Sequence, residues 1–371
     1  MSVPLSVLDL APISEGSDAA SALRNTVELA RHAERWGYRR YWIAEHHFVA
    51  VASSSPAVLI GQLAAATERI HVGSAAVQLG YTTAVAVVEA FGMLDALYPG
   101  RIDLGIGRSG QRRREANDQR PPRPKSPPRE WHEVDGVVVP APFDVSALMR
   151  NPLLRAQMSL LQQPEAVSPD FAGQVDDILA MLDGTFTVDE FDVHVVPVAR
   201  TGIRPWVFGS SKGQSAQVAG ARGLPFVASY HITPATALEA IEVYRNGFRP
   251  SAELAEPYVV VSADVVVADD TETARHLASS YGHWVYSIRA DGGAAPYPDP
   301  DAIEPLSPEQ AEVVKDRTAT QFVGEPDEVA HRLEALQRLT DADELVVTSV
   351  THRQEDRLRS HRLLAQRWGL S

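Results

Sequence analysis

The chain contains no cysteine in its 371 residues. This absence excludes disulfide bonds, thiolate nucleophiles and thiolate metal ligands, so any chemistry must use other side chains. It also agrees with a reducing compartment. The first residues, Met1 to Leu5, lack the basic and apolar segments of a secretory leader. We therefore expect a cytoplasmic protein.

Long apolar runs are also missing. No segment approaches the roughly 18 uninterrupted apolar residues of a membrane-spanning helix, so we expect no membrane partner. Basic residues are outnumbered, with 34 Lys and Arg against 48 Asp and Glu and a formal net charge of -14. The overall field repels polyanions, and we expect no nucleic acid partner. A local site for a small anion is not excluded.

Strand-like and helix-like segments alternate along most of the chain. Leu5–Leu10 has a strand pattern, Ala19–Trp36 has apolar residues at helical spacing, and the pair recurs about eight times. This alternation predicts a parallel sheet, closed as a single (β/α)₈ TIM barrel over residues 1–371. The rival is an open doubly wound sheet, but no G-x-G-x-x-G motif follows the first strand.

Two irregular stretches interrupt the alternation, and we expect both to be insertions. One lies at about 109–197, after the fourth strand, and the other at about 281–308, after the seventh strand. The first begins with Arg108–Arg129, which is rich in Arg, Pro and Gln and is predicted to be an exposed loop under which a substrate would enter. One helix is predicted within this insertion, at Phe171–Leu182.

Catalytic residues in such barrels follow the C-terminal ends of the strands. Glu45, His46 and His47 come directly after the second strand. A histidine there is able to give or take a proton near neutral pH, because its ordinary pKa is ~6.5. The alternative is that the histidines cap or fill the core, and position alone does not decide between the two. No metal site is expected, since adjacent strand residues point to opposite faces.

Two further strand ends have features of a phosphate site. Arg108 follows the glycine that ends the fourth strand, and an arginine at that place can hold a phosphate through two hydrogen bonds. Gly209, Ser210 and Ser211 end the fifth strand at a helix start, where backbone N–H groups and hydroxyls bind anions. The alternatives are a surface arginine and an ordinary serine N-cap.

Small and pocket-lining residues follow other strands. Ala75 and Ala76 lie in a run of small residues after the third strand, which lets a flat ring approach the backbone but also suits tight packing. A tyrosine and a histidine after the sixth strand either line a pocket or pack in the core. The residues predicted to line a substrate pocket are Leu8, Tyr81, Tyr230 and His231.

At these motifs the sequence resembles the luciferase-like flavin monooxygenases, over nearly the whole chain apart from the insertions. Several matches in the same order are hard to obtain by chance. Within that family, the chain looks closest to a branch that includes tailoring enzymes of actinobacterial polyketide pathways, which implies a role in antibiotic biosynthesis. The most specific matches are Leu5–Pro12, Tyr41–His47, Leu97–Arg108 and Thr340–Thr348.

The resemblance implies a two-component monooxygenase that receives reduced FMN (FMNH2) from a separate NAD(P)H:flavin reductase. Reaction with O2 then gives a flavin C4a-peroxide, which hydroxylates or epoxidises an apolar, aromatic or polyketide-like substrate. His46 falls at the active-site histidine of the family, and Ala75–Ala76 falls at a non-proline cis peptide under the flavin. Arg108 and the turn Gly209–Ser211 fall at the phosphate. The resemblance also implies a homodimer formed through helices after the second and third strands.

Two alternatives to this function stay open. One is a deazaflavin (F420)-dependent oxidoreductase on the same fold, which moves hydride without oxygen. The other is a non-catalytic protein that binds or stores oxidised FMN. Tight F420 binding would favour the first alternative, and tight FMN binding without turnover would favour the second.

Overall fold

The structure, a computed structural model, describes residues 3–108, 130–144, 151–198, 202–290 and 293–370. The segment 109–129, predicted to be an exposed loop, lies outside the described residues. The strands are β1 Leu5–Asp9, β2 Arg40–Ile43, β3 His71–Ser74, β4 Val77–Gln78, β5 Ile102–Gly107, β6 His132–Val134, β7 Val137–Val139, β8 Thr187–Val188, β9 Phe191–Asp192, β10 Arg204–Gly209, β11 Phe226–Ala228, β12 Val259–Val267, β13 Phe322–Gly324 and β14 Glu344–Thr348.

The helices follow the strands in sequence, and a short 3-10 turn spans Leu79–Tyr81. No helix in the described ranges is both long and apolar enough to cross a bilayer. The α-helices are α1 Ala19–Arg35, α2 Pro56–Ala66, α3 Ala84–Leu97, α4 Pro152–Ser159, α5 Phe171–Leu182, α6 Gln214–Ala221, α7 Pro234–Gly247, α8 Thr271–Ala278, α9 Ser280–Ala290, α10 Pro308–Thr318, α11 Pro326–Thr340 and α12 Gln354–Trp368.

Eight parallel strands close into a barrel. Their order around the barrel is β1, β2, β3, β5, β10, β11, β12 and β14, and β14 pairs again with β1. The contact that joins the two halves of the chain is β5 with β10, where Gly107 pairs with Phe208. One apolar core lies between the strands and the helices outside them, and a second lies inside the barrel. The predicted (β/α)₈ barrel is therefore confirmed.

Most predicted helices and strands agree with the structure to within a few residues, but two segments differ. The insertion after β5 contains, besides the predicted helix Phe171–Leu182, the helix α4 Pro152–Ser159 and the two short hairpins β6–β7 and β8–β9. The sequence predicts an irregular stretch from residue 281, whereas Ser280–Ala290 is a helix. Its buried residues Tyr281, Trp284 and Val285 recur at helical spacing and pack inside the barrel core. The glycines and prolines that suggested an irregular stretch are concentrated after Ala290, so they do not interrupt the helix.

The barrel interior combines glycines with aromatic rings. Gly73 pairs with Trp42 across the sheet, and a Cβ atom at Gly73 would lie 2.6 Å from the Trp42 ring. A Cβ atom at Gly105 would likewise lie 2.6 Å from the ring of Phe208. Trp42 packs edge-on against Trp206 and Phe208, with ring centroids 5.4 and 5.3 Å away. These rings fill the middle of the barrel, which is a packed core and not a pore.

A buried ionic layer closes the N-terminal end of the barrel. Nη1 of Arg40 lies 2.5 Å from Oε2 of Glu344, and Nε of Arg40 lies 3.1 Å from Oδ2 of Asp103. Trp206 donates a hydrogen bond to Asp103, and the Tyr258 hydroxyl donates one to Glu344. Burial raises the pKa of Glu344. Two buried carboxyl groups therefore depend on one guanidinium for their counter-charge.

Replacing Arg40 tests this layer. Arg40→Leu should lower the free energy of unfolding by about 3–5 kcal/mol, because Asp103 and Glu344 stay buried without a cation. The matched control is Arg204→Leu, since Arg204 and Glu253 form a largely exposed pair at 3.8 Å; its removal should cost no more than about 1 kcal/mol. Urea unfolding followed by circular dichroism measures both changes. Equal losses in the two variants would contradict the role given to Arg40.

Candidate active site

The residues that follow the barrel strands form a rim around an opening, which we call the mouth. His46, Ala76, Arg108 and Ser210 are half-buried, whereas the strand residues before them are mostly buried. Leu8 lies below this rim, 4% exposed, and packs in the interior core with the aromatic rings. The rim residues therefore face accessible space above a closed apolar floor.

The rim after β3 and β5 is made of small residues. The peptide bond between Ala75 and Ala76 is cis, at the position that the family resemblance indicates. A Cβ atom at Gly107 would lie 3.3 Å from Cβ of Ala76, so the neighbouring rim positions touch without a large side chain between them. Such a surface leaves room for a flat ring to lie close to the backbone.

Arg108 and the turn after β10 lie side by side, because β5 and β10 are neighbouring strands. A Cβ atom at Gly213 would lie 3.4 Å from Oγ of Ser211 and 3.5 Å from Nη2 of Arg108. These two polar atoms therefore border the same small space at the start of α6. The sequence predicts this pairing of an arginine with a serine turn, and we call it the Arg108 clasp (Arg108, Gly209, Ser210 and Ser211).

The Arg108 clasp is held by residues that the sequence does not predict. Nη1 of Arg108 donates to Oε1 of Gln214 (3.2 Å), and Nε2 of Gln214 donates to Oδ1 of Asp170 (2.9 Å). The hydroxyls of Thr233 and Thr236 both donate to the carbonyl of Ser210, at 2.9 and 2.5 Å. The position of Gln214 at a helix start was a usable signal. Asp170 comes from the insertion after β5, and no pattern in the sequence links it to the clasp.

His46 and its neighbours separate into two groups. Nε2 of His47 lies 2.9 Å from Oε1 of Glu45, and Glu45 also accepts a hydrogen bond from the backbone of Gln78 at 3.1 Å. Glu45, His47 and Tyr81 line a cavity of about 250 Å³ between α2 and α3, which His46 does not line. Glu45 and His47 therefore face this cavity, whereas His46 does not line it.

The ring of His46 differs from its neighbours in its hydrogen bonding. Within the described part of the chain, no side chain hydrogen-bonds to it. Burial, and secondarily the charge of His47, lowers the pKa of His46 to about 4. At neutral pH this imidazole is uncharged, with one nitrogen that can donate a hydrogen bond and one that can accept.

His231 is a second neutral imidazole at the mouth. Its Nδ1 lies 2.5 Å from Oγ of Ser262, and its backbone N–H donates to the same hydroxyl at 3.3 Å. Burial, followed by the charges of Arg317 and His46, lowers the pKa of His231 to about 3. The interaction with His46 shows that the two rings lie within electrostatic range of each other. The structure therefore brings together His46 and His231, although their positions in the sequence are far apart.

The two predicted pocket tyrosines lie apart from this pair. The hydroxyl of Tyr230 donates to the carbonyl of Val138 at 2.6 Å, and its ring packs 6.2 Å from Phe322 in the outer core. Tyr230 thus ties the β6–β7 hairpin to the turn that carries His231. The hydroxyl of Tyr81 contacts the sulfur of Met158 at 3.1 Å, beside the cavity of His47.

Comparison with known proteins identifies the family of this chain. A family model for luciferase-like monooxygenases matches residues 3–134 and 176–343. The chain is 37% identical over 366 residues to the uncharacterized protein YvbT of Bacillus subtilis (strain 168), covering 98% of this chain and 96% of that protein. It is 35% identical over 365 residues to the luciferase-like monooxygenase of Escherichia coli (strain K12), covering 97% and 96%.

Solved structures give the same picture. Apo-MsnO8 superimposes with a TM-score of 0.79 at 30% identity, over 100% of this chain and 98% of that one. The oxygenating constituent of 3,6-diketocamphane monooxygenase of Pseudomonas putida, solved with FMN, has a TM-score of 0.63 at 17% identity, over 99% and 98%. An F420-dependent secondary alcohol dehydrogenase, solved with an F420–acetone adduct, has a TM-score of 0.58 at 13% identity, over 99% of both chains.

The last two likenesses show only the fold. The family model, by contrast, covers most of the chain, and the two relatives are more than 30% identical to it over nearly their whole length. The chain therefore belongs to the luciferase-like monooxygenase family and is a flavin-dependent monooxygenase.

Proposed function

We propose that this protein oxygenates an apolar, aromatic or polyketide-like substrate with reduced FMN (FMNH2) and O2, by hydroxylation or epoxidation. The observation that carries the proposal is the Arg108 clasp, which lies at the same mouth as the small-residue rim and two neutral histidines. A phosphate, a flat ring and a reacting oxygen each have a suitable group there. FMN combines the phosphate with the ring, and reduced FMN supplies the electrons for oxygen activation.

The clasp fits the phosphate of FMN for electrostatic reasons. Arg108 is already oriented by Gln214, so binding a phosphate costs little side-chain entropy. The hydroxyl of Ser211 and the N-terminal end of α6 add hydrogen-bond donors of the same polarity. A flavin ring held from this side would extend over the small residues Ala75, Ala76 and Gly107.

The histidines act on the reacting oxygen. A neutral His46 can donate one hydrogen bond to a developing oxygen anion, or give that oxygen a proton, without bringing a full charge into the pocket. Leu8 and the aromatic floor keep the space below the rim apolar, which excludes water. In this proposal His231 lines the side of the pocket, and Ser262 holds its ring in place.

Three further features complete the proposal. A separate NAD(P)H:flavin reductase supplies FMNH2, and the protein works in the cytoplasm, as the missing cysteines suggest. The chain forms a homodimer through α2 and α3. Support comes from Val58 on α2 and from Met93 and Leu97 on α3, which are 69%, 58% and 68% exposed. Large apolar side chains left exposed on a surface favour association.

F420-dependent hydride transfer is the second candidate function. An F420-dependent dehydrogenase has the same fold, and a barrel with a phosphate clasp can hold either cofactor. The third candidate, a flavin-storage protein, would bind oxidised FMN and release it unchanged. Two neutral imidazoles at the mouth favour an enzyme, because storage requires no proton donor.

Substitution of Arg108 tests the phosphate site. Arg108→Ala should weaken FMN binding by roughly 10–100-fold, since a hydrogen-bonded charge contributes about 1.5–3 kcal/mol. Riboflavin, which has no phosphate, should bind both proteins equally. Arg204→Leu, at the opposite end of the strand that carries Ser210, is the matched control and should bind FMN like the unchanged protein. Flavin fluorescence titration measures each affinity, and an equal loss of riboflavin binding would remove Arg108 from the phosphate site.

Oxygen chemistry is tested by H2O2 release. The protein loaded anaerobically with reduced FMN and then mixed with O2 should release H2O2 more slowly than free reduced FMN does, because its pocket excludes water. His46→Ala should speed this release on the order of tenfold, and His47→Ala should not, since His47 pairs with Glu45. Tight F420 binding together with H2O2 release at the free-flavin rate would favour hydride transfer instead.

The neutral histidines predict an acid-sensitive fold. The pKa of His46 is lowered to about 4 and that of His231 to about 3, while both return to ~6.5 on unfolding. The unfolded chain therefore binds more protons below pH 6.5, so stability is complete above that pH and falls towards pH 4. Replacing both with Asn should reduce this fall, measured by urea unfolding from pH 7 to 4, while buried His361, whose pKa is also lowered to about 3, continues to contribute to it. Asn in place of the exposed His276 should leave the fall in stability unchanged. If the variant without His46 and His231 loses stability towards pH 4 as steeply as the unchanged protein, the two rings are already protonated in the folded state.

A further inference from the structure

A buried polar cluster lies at the mouth on the side of β12 and β14. Asp264, which is 4% exposed, pairs in the sheet with Thr348 at the end of the next barrel strand. Oδ1 of Asp264 accepts a hydrogen bond from Nε2 of Gln321 at 2.9 Å, and the nearby Tyr281 hydroxyl acts to lower the pKa of the same carboxyl. Nη2 of Arg317 donates to the Tyr281 hydroxyl at 2.6 Å. Burial raises the pKa of Asp264 to about 6.

Four hydrogen-bond donors around this carboxyl have no partner within the part of the chain that the structure describes. They are Oη of Tyr297, Oγ1 of Thr348, Nε1 of Trp284 and Nε of Arg317. Tyr297, Thr348 and Trp284 are only 0%, 1% and 6% exposed. Burying a donor without a partner is unfavourable, because its hydrogen bonds to water are lost and not replaced. Four such donors in one place therefore provide unused hydrogen-bonding capacity that a polar group of a ligand can satisfy.

These donors belong to one neighbourhood. The Tyr297 hydroxyl interacts electrostatically with both Asp264 and Tyr281. The ring of Trp284 lies 5.9 Å from that of Tyr297 and 6.2 Å from that of Tyr281. Thr348 is on the strand beside Asp264 and follows the inward-facing Val346 by two residues, so its side chain points into the barrel as well.

The position of the cluster separates it from the phosphate site. The Arg108 clasp lies where β5 meets β10, and β14 is four strands from β5 and three from β10 around the barrel. The cluster therefore faces the clasp across the mouth. Arg317 acts on both Asp264 and His231, which connects the cluster to the space beside the histidines. A molecule lying over the flavin would reach the cluster with its far end.

We propose that this group, the Asp264 cluster (Asp264, Tyr281, Tyr297, Arg317 and Thr348), binds a hydroxyl group of the substrate. The inference rests on the function proposed above and names the substrate class more closely, as an apolar body that carries a hydroxyl. The hydroxyl oxygen accepts from Tyr297 and Thr348, and its hydrogen is donated to Asp264. A carbonyl would use the donors but not the carboxyl acceptor, and a carboxylate would face Asp264 itself.

Matched aromatic probes test this inference on the FMN-saturated protein. The probes are 2-naphthol, naphthalene and 2-naphthoate, which share one ring system, and their affinities are measured by calorimetry or competition NMR. We expect 2-naphthol to bind at least roughly tenfold more tightly than naphthalene, since a site built for a hydroxyl rejects the analogue without it. It should also bind more tightly than 2-naphthoate.

Two variants assign the preference to the cluster. Tyr297→Phe and Thr348→Val remove one hydroxyl each with little change in volume, and each should reduce the preference for 2-naphthol by roughly 3–10-fold. Tyr38→Phe is the control, because Tyr38 is equally buried but donates to the carbonyl of His361 outside the barrel. It should leave the preference unchanged even if it lowers stability.

The outcomes separate this inference from the proposed function. FMN affinity, measured in the same samples, reports on the Arg108 clasp. If the protein does not bind FMN, the proposed function is overturned and this inference with it. If FMN binds but the protein binds 2-naphthol no more tightly than naphthalene, the cluster holds only water and the inference is wrong. The same conclusion follows if FMN binds and neither probe does. A preference that survives both variants, or that favours 2-naphthoate, overturns it as well.

Discussion

The register between β5 and β10 is the constraint on which the mouth depends. Gly107 pairs with Phe208, and this one alignment closes the barrel, seats Phe208 on the floor and brings Arg108 beside Ser211. A shift of one residue would turn every side chain of β10 to the opposite face. Gly105 on β5 leaves room for both neighbouring strands, because a Cβ atom there would lie 1.8 Å from the carbonyl oxygen of Ser74 on β3 and 2.6 Å from the ring of Phe208 on β10. Packing inside the barrel and the position of the Arg108 clasp above it therefore depend on the same strand pairing.

Polar groups in this barrel are arranged in layers with different roles. At the N-terminal end, Arg40 balances buried carboxyl groups and contributes rigidity. In the middle, apolar rings exclude water. At the mouth, His46 and His231 are kept uncharged by burial, and Asp264 lies among donors that no described residue satisfies. Charged groups are thus paired with one another at the end of the barrel that gives stability, whereas hydrogen-bonding capacity is left unused at the mouth.

The sequence predicts most of this architecture because its periodicity is strong and because barrel enzymes place functional residues after strands. That rule is enough to select His46, Arg108 and the serine turn. It does not select Gln214 or Thr233, whose importance depends on which loop reaches which strand end. Hydrogen-bond partners far apart in sequence, as in the case of Tyr230 and the hairpin carbonyl of Val138, are fixed only by tertiary structure. At Ser280–Ala290 the composition predicts an irregular stretch, whereas the helical spacing of the buried residues correctly indicates a helix.

The Asp264 cluster could not be found from the sequence for the same reason. Asp264 stands in a continuous apolar strand, and Tyr297 follows a segment rich in glycine and proline. Nothing in either pattern indicates that the two meet. Only closure of the barrel places β12 beside β14, and only the helix Ser280–Ala290 brings its tyrosine and tryptophan over them.

The closed N-terminal half of the barrel affects how ligands enter and leave. Among the described residues, Arg40 and its carboxyl partners fill one end of the barrel, and Trp42, Trp206 and Phe208 fill the middle. Molecules that bind at the mouth must therefore enter and leave on the same side. Of two molecules bound one above the other, the deeper one has to arrive first and depart last, so the closed end of the barrel imposes an order of binding and release.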